Sequence, residues 1–181
     1  NSGHVTGSGS VGGICGENWG SITNCSNSGD VTGSYVVGGI CGLNGGSITS
    51  GSITSCSNSG PVTGSGAVTV TGSGYSYVGG ICGYNAKGSI MNNSNSGTVT
   101  VTGSDYSYVG GICGVNLDSI TNCSNSGTVT VHNSSSSSTA FVGGICGEND
   151  GTVTNCSNSG PVTGSGEVGG ICGYNWDSIT N

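Results

Sequence analysis

The hexapeptide VGGICG opens at Val11 and returns unchanged at Val37, Val78, Val109, Val142 and Val168. A chain that repeats itself this closely is constrained to a fold in which equivalent segments have equivalent neighbours, and stacked-repeat architectures supply that. Each copy continues with one variable residue, an Asn, a short variable stretch, SITNC or a relative, SNSG, one variable residue and VT. The first copy reads VGGICGENWGSITNCSNSGDVTG from Val11 to Gly33. From the opening Val to the Val of VT the distance is 20 residues in the copies at Val11, Val109 and Val142, 21 at Val78 and 25 at Val37, where SITSG is written twice. The connection from VT to the next VGG runs from six residues after Val5, Val31 and Val162 to 10 after Val99, 13 after Val129 and 16 after Val62. A fixed module with elastic connections is what a stacked scaffold carrying surface loops requires, because insertions in exposed loops cost little closure entropy.

The composition supports the same conclusion. Only 31% of the 181 residues are hydrophobic and 40 are glycine, so a compact core of large side chains is excluded; charged residues at 5% and two prolines do not fit a disordered tail either. Repeats resolve this conflict by burying a narrow core between neighbours that no unit could bury alone. Glycine pairs, β-branched residues and Asn-Ser-Gly turns at close intervals exclude helices and suit short strands. A unit of about 26 residues with three strand candidates (VGGICG, SITNC, DVTG) predicts one coil of a parallel β-solenoid. The fold class expected is therefore all-β, a single repeat array over residues 1–181, with modules starting at 11, 37, 78, 109, 142 and 168 and partial modules at both ends. The connections AVTVTGSGYSYV and TVTVTGSDYSYV alternate apolar and polar residues and are expected to extend as strands or hairpins, while VHNSSSSSTAF reads as a loop.

In a parallel stack each residue lies over its equivalent at ~4.8 Å, so identical side chains form columns. Apolar columns are expected through Val11, through Ile14, through Ile22 (with Ile48 or Ile53 from the duplicated segment) and through Val5 and their equivalents. Two amide columns are expected as structural ladders, one through Asn18, Asn44, Asn85, Asn116, Asn149 and Asn175 and one through Asn1, Asn27, Asn58, Asn95, Asn125 and Asn158. A side-chain amide can donate to one neighbour and accept from the other. Metal or ligand binding by these neutral amides is the weaker reading, since cations of the calcium type want carboxylates. One difficulty stands out. Strict alternation through VGGICG puts Val, Gly and Cys on one face and Ile on the other, so the strand either bends at the glycine pair or is covered on both faces.

Ten cysteines occupy two module positions, one in VGGICG and one in NCSNSG; Asn93 replaces the second cysteine of the third copy, and Cys82 and Cys172 have no partner in their modules. Without a CxxC and with His4 and His132 at unrelated positions, no zinc or other cofactor is implied. Two readings stay open. Each complete module closes a disulfide (Cys15–Cys25, Cys41–Cys56, Cys113–Cys123, Cys146–Cys156), contributing ~3 kcal/mol under the chain-entropy model, or the thiols stack in columns as small buried groups, close enough even to bridge between coils. The first is preferred because an extracellular chain with so thin a core needs staples.

The module VGGICGxNxGSITNCSNSGxVTG resembles the GLUG-type repeats of bacterial cell-surface proteins, with Gly13-Ile14-Cys15-Gly16 and its five relatives matching the core of that motif. The resemblance covers essentially the whole chain, with regular cysteines as its departure. It implies an extracellular or surface location and a stalk or adhesive role, since such repeats occur in adhesin-like proteins and beside IgA-cleaving metalloproteases.

Eight acidic residues against the single basic Lys87 give a formal charge of −7, which excludes nucleic acid and anionic membrane surfaces as partners. No apolar run approaches the ~20 residues of a membrane span, and the ends fall in mid-repeat, as in a processed product or a window of a longer chain. No HExxH, GxSxG or P-loop is present, so an enzyme is not expected. The function expected is that of a structural protein, a stalk segment or fibre subunit whose partners are its own copies or flanking repeats, end to end. The alternative is an adhesin binding surface glycans or host proteins through exposed aromatics, for which Tyr75, Tyr77, Tyr106, Tyr108 and Phe141 line up before VGG. The sequons at Asn24, Asn92, Asn122, Asn133 and Asn155 read as by-products of the NCS turn.

Overall fold

A computed structural model describes residues 1–45, 51–65, 74–103, 106–132 and 139–181. The described residues form a parallel β-solenoid without helices, in which every strand pairs in parallel with its equivalents in the coils above and below. Each complete coil carries five short strands rather than the three expected. In the third coil these are Val62–Ser65, Tyr75–Gly79, Cys82–Asn85, Gly88–Met91 and Ser94–Asn95. They build a VT sheet, a VGG sheet, a CG sheet and a SIT sheet of six strands each, and an SN sheet of five. The pairing register follows the repeat: Val11 lies beside Val37, Val37 beside Val78, and so on to Val142 beside Val168. The duplicated SITSG resolves in favour of Ile53, which joins Ile22 to Ile90; Ile48 lies outside the described residues. Of the long connections, the strands Val99–Thr102, Tyr106–Gly110, Val129–His132 and Thr139–Gly143 are lengthened versions of the basic VT and VGG strands, whereas residues 66–73 and the serine run at 134–138 lie outside the described residues.

The VGGICG strand does bend. In the second coil, for example, it splits into Val36–Gly38 and Cys41–Asn44, with a bend at Gly39-Ile40 between them. The corner resolves the alternation problem, because Val37, Ile40 and Cys41 are all 0% exposed. Two apolar cores result. The valines of the VT and VGG sheets pack together in one, with Ala140, and the isoleucines and cysteines of the CG and SIT sides in the other, with Val153. Each fully buried Val or Ile contributes about 1.5–3 kcal/mol, so a core only one or two side chains wide accumulates its stability coil by coil.

Both amide ladders form, and both run in one sense. Asn18 Nδ2 donates to Asn44 Oδ1 at 2.8 Å, Asn44 to Asn85 at 2.9 Å, Asn85 to Asn116 at 2.7 Å, Asn116 to Asn149 at 2.8 Å and Asn149 to Asn175 at 2.8 Å. The second ladder runs likewise from Asn1 through Asn27, Asn58, Asn95 and Asn125 to Asn158, at 2.8–3.0 Å. In this second ladder the amide nitrogen of each rung also donates to the glycine carbonyl two residues on, as Asn58 does to Gly60 at 2.8 Å, so the four inner amides, each 1% exposed, are satisfied without water.

The residue before each turn cysteine, or before Asn93 in its place, carries a positive φ: Asn24, Ser55, Asn92, Asn122 and Asn155 lie between 51° and 57°. Asparagine tolerates this left-handed conformation best among residues with a β-carbon, which explains why NC rather than another pair recurs there. Four of the five sequons therefore mark a backbone requirement.

Candidate functional site: an aromatic seam beside the corner

The corner in VGGICG places two outward columns side by side. The first is the residue before each VGG: Ser10, Val36, Tyr77, Tyr108, Phe141 and Glu167. The second lies seven residues later, in CGxN: Glu17, Leu43, Tyr84, Val115, Glu148 and Tyr174. What allows them to meet is the glycine of CGxN. A β-carbon on Gly42 would lie 2.7 Å from the Val11 backbone nitrogen, and one on Gly83 2.7 Å from that of Val37, so only glycine lets the CG strand rest against the VGG strand of the preceding coil.

Aromatic rings run along this seam in continuous contact. Tyr77 stacks on Tyr108 with centroids 5.2 Å apart, and Tyr108 on Phe141 at 5.1 Å; Tyr75 stacks on Tyr106 at 5.0 Å. Across the seam, Tyr84 meets Tyr77 edge-on at 5.3 Å and Phe141 meets Tyr174 at 5.3 Å, while Tyr35 caps Tyr77 edge-on at 5.6 Å. The five aromatics singled out in the sequence thus belong to a larger set. Tyr35, Tyr84, Tyr174 and Trp176 were missed because none of them shares a column with the first five; for Tyr84 and Tyr174 the recurring seven-residue offset to the CGxN position was the available signal.

Where the columns carry smaller residues, the surface opens into a cleft of about 270 Å³ lined by Ser10, Tyr35, Val36, Leu43, Tyr77 and Tyr84. Val36 and Leu43 lie one coil below the tyrosine pair Tyr77 and Tyr84, and one coil further on Ser10 Oγ donates to Glu17 Oε1 at 3.2 Å. Farther along, Glu148 stands between Val115 and Tyr174. Burial, then the Asp150 carboxylate, raises its pKa, and a hydrogen bond from Trp176 partly opposes this. Burial also raises the Tyr77, Tyr84 and Tyr108 phenols; crowding by Tyr35 comes next at Tyr77, Asp150 and Glu148 at Tyr84, and Glu148 at Tyr108. These rings remain neutral phenols across the physiological range.

The cysteines make no such surface. All ten are free thiols, so the expected bridges Cys15–Cys25, Cys41–Cys56, Cys113–Cys123 and Cys146–Cys156 are not formed. The thiols stand in columns along the coils instead, and all but Cys146 turn the S–H onto a backbone carbonyl two residues away, as Cys41 does to Leu43 at 3.1 Å and Cys56 to Thr54 at 3.4 Å. One sulfur pair, Cys146 and Cys172 at 3.5 Å, lies between coils. Burial holds the Cys41 and Cys82 thiols far above their ordinary pKa, which keeps them protonated and unreactive. Asn93 completes the turn column where a cysteine is missing, donating to the Ile53 carbonyl at 2.9 Å. Among the described residues no three His, Cys, Asp or Glu side chains are grouped to hold a metal ion, and no helix is long and apolar enough to cross a membrane.

The GLUG motif matches residues 7–32, 74–100, 105–130 and 142–163, together more than half of the chain. No curated protein matches it in sequence. Among solved structures, a candidate immunoglobulin A1 protease from Bacteroides ovatus superposes with a TM-score of 0.62 at 24% identity, over 96% of this chain and 56% of its own. The chain thus spans little more than half of that neighbour, and the likeness establishes a common fold. With matching repeats distributed along a continuous parallel stack, this chain belongs to the GLUG-motif family.

Proposed function

We propose that the chain is a non-enzymatic structural segment of an extracellular or cell-surface protein, either part of a stalk or the subunit of a fibre, lengthened by adding coils end to end. The observation that carries this reading is the common sense of the two asparagine ladders. Every rung donates toward the C-terminal coil, so Asn175 and Asn158 present amide nitrogens to whatever follows and Asn18 and Asn1 present amide oxygens to whatever precedes. A further coil of the same pattern, from the same polypeptide or from another copy, adds the next rung to both ladders and to the open strand edges. The surface location is supported by the GLUG repeats and by a composition with one basic residue, which offers trypsin-like proteases a single cleavage site.

Electron microscopy of the purified chain over a range of concentrations tests this directly. Rods one coil wide that lengthen with concentration are expected of a fibre subunit. A monomer at every concentration overturns the fibre version, and recovery of the chain only from the cytosol of producing cells overturns the stalk version as well. Cleavage of immunoglobulin A by the purified chain would overturn the non-enzymatic reading.

A further inference from the structure

We propose that the cleft lined by Tyr35, Tyr77 and Tyr84, with Glu17 at its edge bonded to the lining Ser10, binds an arginine or lysine side chain from a basic segment of a partner protein laid along the solenoid. The cleft lies on the side of the stack, so this reading is independent of what meets the terminal coils.

Three observations select a cationic side chain. The first is charge. The columns that form the seam carry Glu17, Glu148 and Glu167, with Asp150 beside Glu148, which is half of the eight carboxylates in the chain, and they carry no Lys or Arg. A carboxylate accepts hydrogen bonds but donates none, and the one bond from Ser10 uses only part of the acceptor capacity of Glu17. The site therefore calls for a donor-rich, positively charged group. The second is the wall. Tyr77 meets both Tyr35 and Tyr84 edge-on, at interplanar angles of 79° and 86°, so the cleft is bounded by ring surfaces in more than one orientation, the arrangement in which aromatic quadrupoles attract a cation. The third is size. About 270 Å³ falls just below the ~300–1,000 Å³ typical of small-molecule pockets, room for one long side chain whose methylenes lie on Val36 and Leu43 while its head reaches Glu17.

The pairing of ring and carboxylate recurs farther up. Glu148 and Asp150 bear electrostatically on Tyr84 and Tyr108, four coil steps from Glu17, or roughly 19 Å at the spacing of parallel strands. An extended segment covers that distance in about six residues. One basic side chain enters the cleft and a second reaches the upper carboxylates.

The test is fluorescence anisotropy of the whole chain with a labelled peptide of alternating arginine and glycine, beside the same peptide with glutamine for arginine and beside labelled maltohexaose. Binding of the arginine peptide alone is expected. Glu17→Gln and Tyr84→Leu should each weaken it about five-fold, whereas Asp30→Asn combined with Asp118→Asn, which removes two carboxylates off the seam, should leave it within about two-fold. Glu17 is exposed, so its variant keeps the fold, and a thermal melt checks Tyr84→Leu. Equal weakening in the off-seam variant would reduce the effect to general attraction and overturn the proposal. Preferential binding of maltohexaose, or of neither probe, would overturn it too. Rod formation by the same variants reads the end-to-end proposal separately.

Discussion

The amide of Asn95 occupies the space that a β-carbon on Gly80 would need. The same holds for Asn58 against Gly39, Asn125 against Gly111 and Asn158 against Gly144, with a backbone carbonyl of the next coil closing the other side each time. The second glycine of VGG is thus the receptacle of the second asparagine ladder, and neither neighbour can yield without breaking a rung. Gly80→Ala should destabilise the chain by about 2–3 kcal/mol, the cost of overpacking a rigid site plus a displaced hydrogen bond. Gly20→Ala, with nothing within 4 Å of the added carbon, should be neutral or slightly stabilising. Urea unfolding of the two variants against the parent checks the contrast.

The first ladder should be costliest to cut in its middle. Asn85 accepts from Asn44, donates to Asn116 at 2.7 Å and donates to the Gly88 carbonyl at 2.7 Å, all at 0% exposure. Asn85→Leu strands a donor on Asn44 and acceptors on Asn116 and Gly88, and a loss of about 3–5 kcal/mol is expected from buried groups left unpaired. The same change at Asn175, exposed and on the last rung, should cost about 1 kcal/mol or less. Thermal melts of the two variants give the comparison; equal losses would show that the ladder does not act as a buried network.

Much of this architecture was legible because the repeat writes it out. Columns of Val, Ile and Asn follow from identical letters at a fixed register, and both ladders could be named from six-fold recurrence alone. The corner could not, because Gly-Gly-Ile is compatible with a continuous strand or with a bend, and only packing of both Val37 and Cys41 into cores chooses the bend. The cysteines misled for a related reason. Regular pairs in a poorly cored chain suggest staples, yet in-register stacking sets the sulfurs in columns along the coils and leaves nearly every S–H a carbonyl two residues away. The aromatic seam was half legible. Tyr77, Tyr108 and Phe141 share a column, but Tyr84 belongs to another, and adjacency of two columns depends on the close approach at Gly42 and Gly83.

Free thiols have a direct chemical signature. Under native conditions iodoacetamide should modify the partly exposed Cys15, Cys25 and Cys172, while Cys41, Cys82, Cys113 and Cys146, each 0% exposed, should stay unmodified. In denaturant without reductant all ten should react. Peptide mass spectrometry reads both states, and a requirement for reductant before Cys41, Cys56, Cys113 or Cys123 reacts would mean that bridges exist after all.

The buried thiols also set an alkaline limit. Cys41 and Cys82 have folded pKa values raised above the ordinary 9.0 chiefly by burial, so above that pH the unfolded chain loses protons that the folded chain retains. The slope of stability with pH is then negative. The contribution is complete below the unfolded pKa and disappears as pH rises toward the folded values, at up to about 1.4 kcal/mol per pH unit for each thiol. Stability should therefore be flat with respect to these groups from pH 6 to 8 and fall steeply above about pH 9. Cys82→Ser combined with Cys41→Ser, which replaces two of the raised thiols by hydroxyls, should lower stability at pH 7 and lessen the alkaline fall, the remainder belonging to Cys123, Cys146 and the seam tyrosines, which are raised as well. Urea midpoints of parent and variant across that range, with an unchanged alkaline slope in the variant as the contrary outcome, decide whether burial of the thiols is the cause.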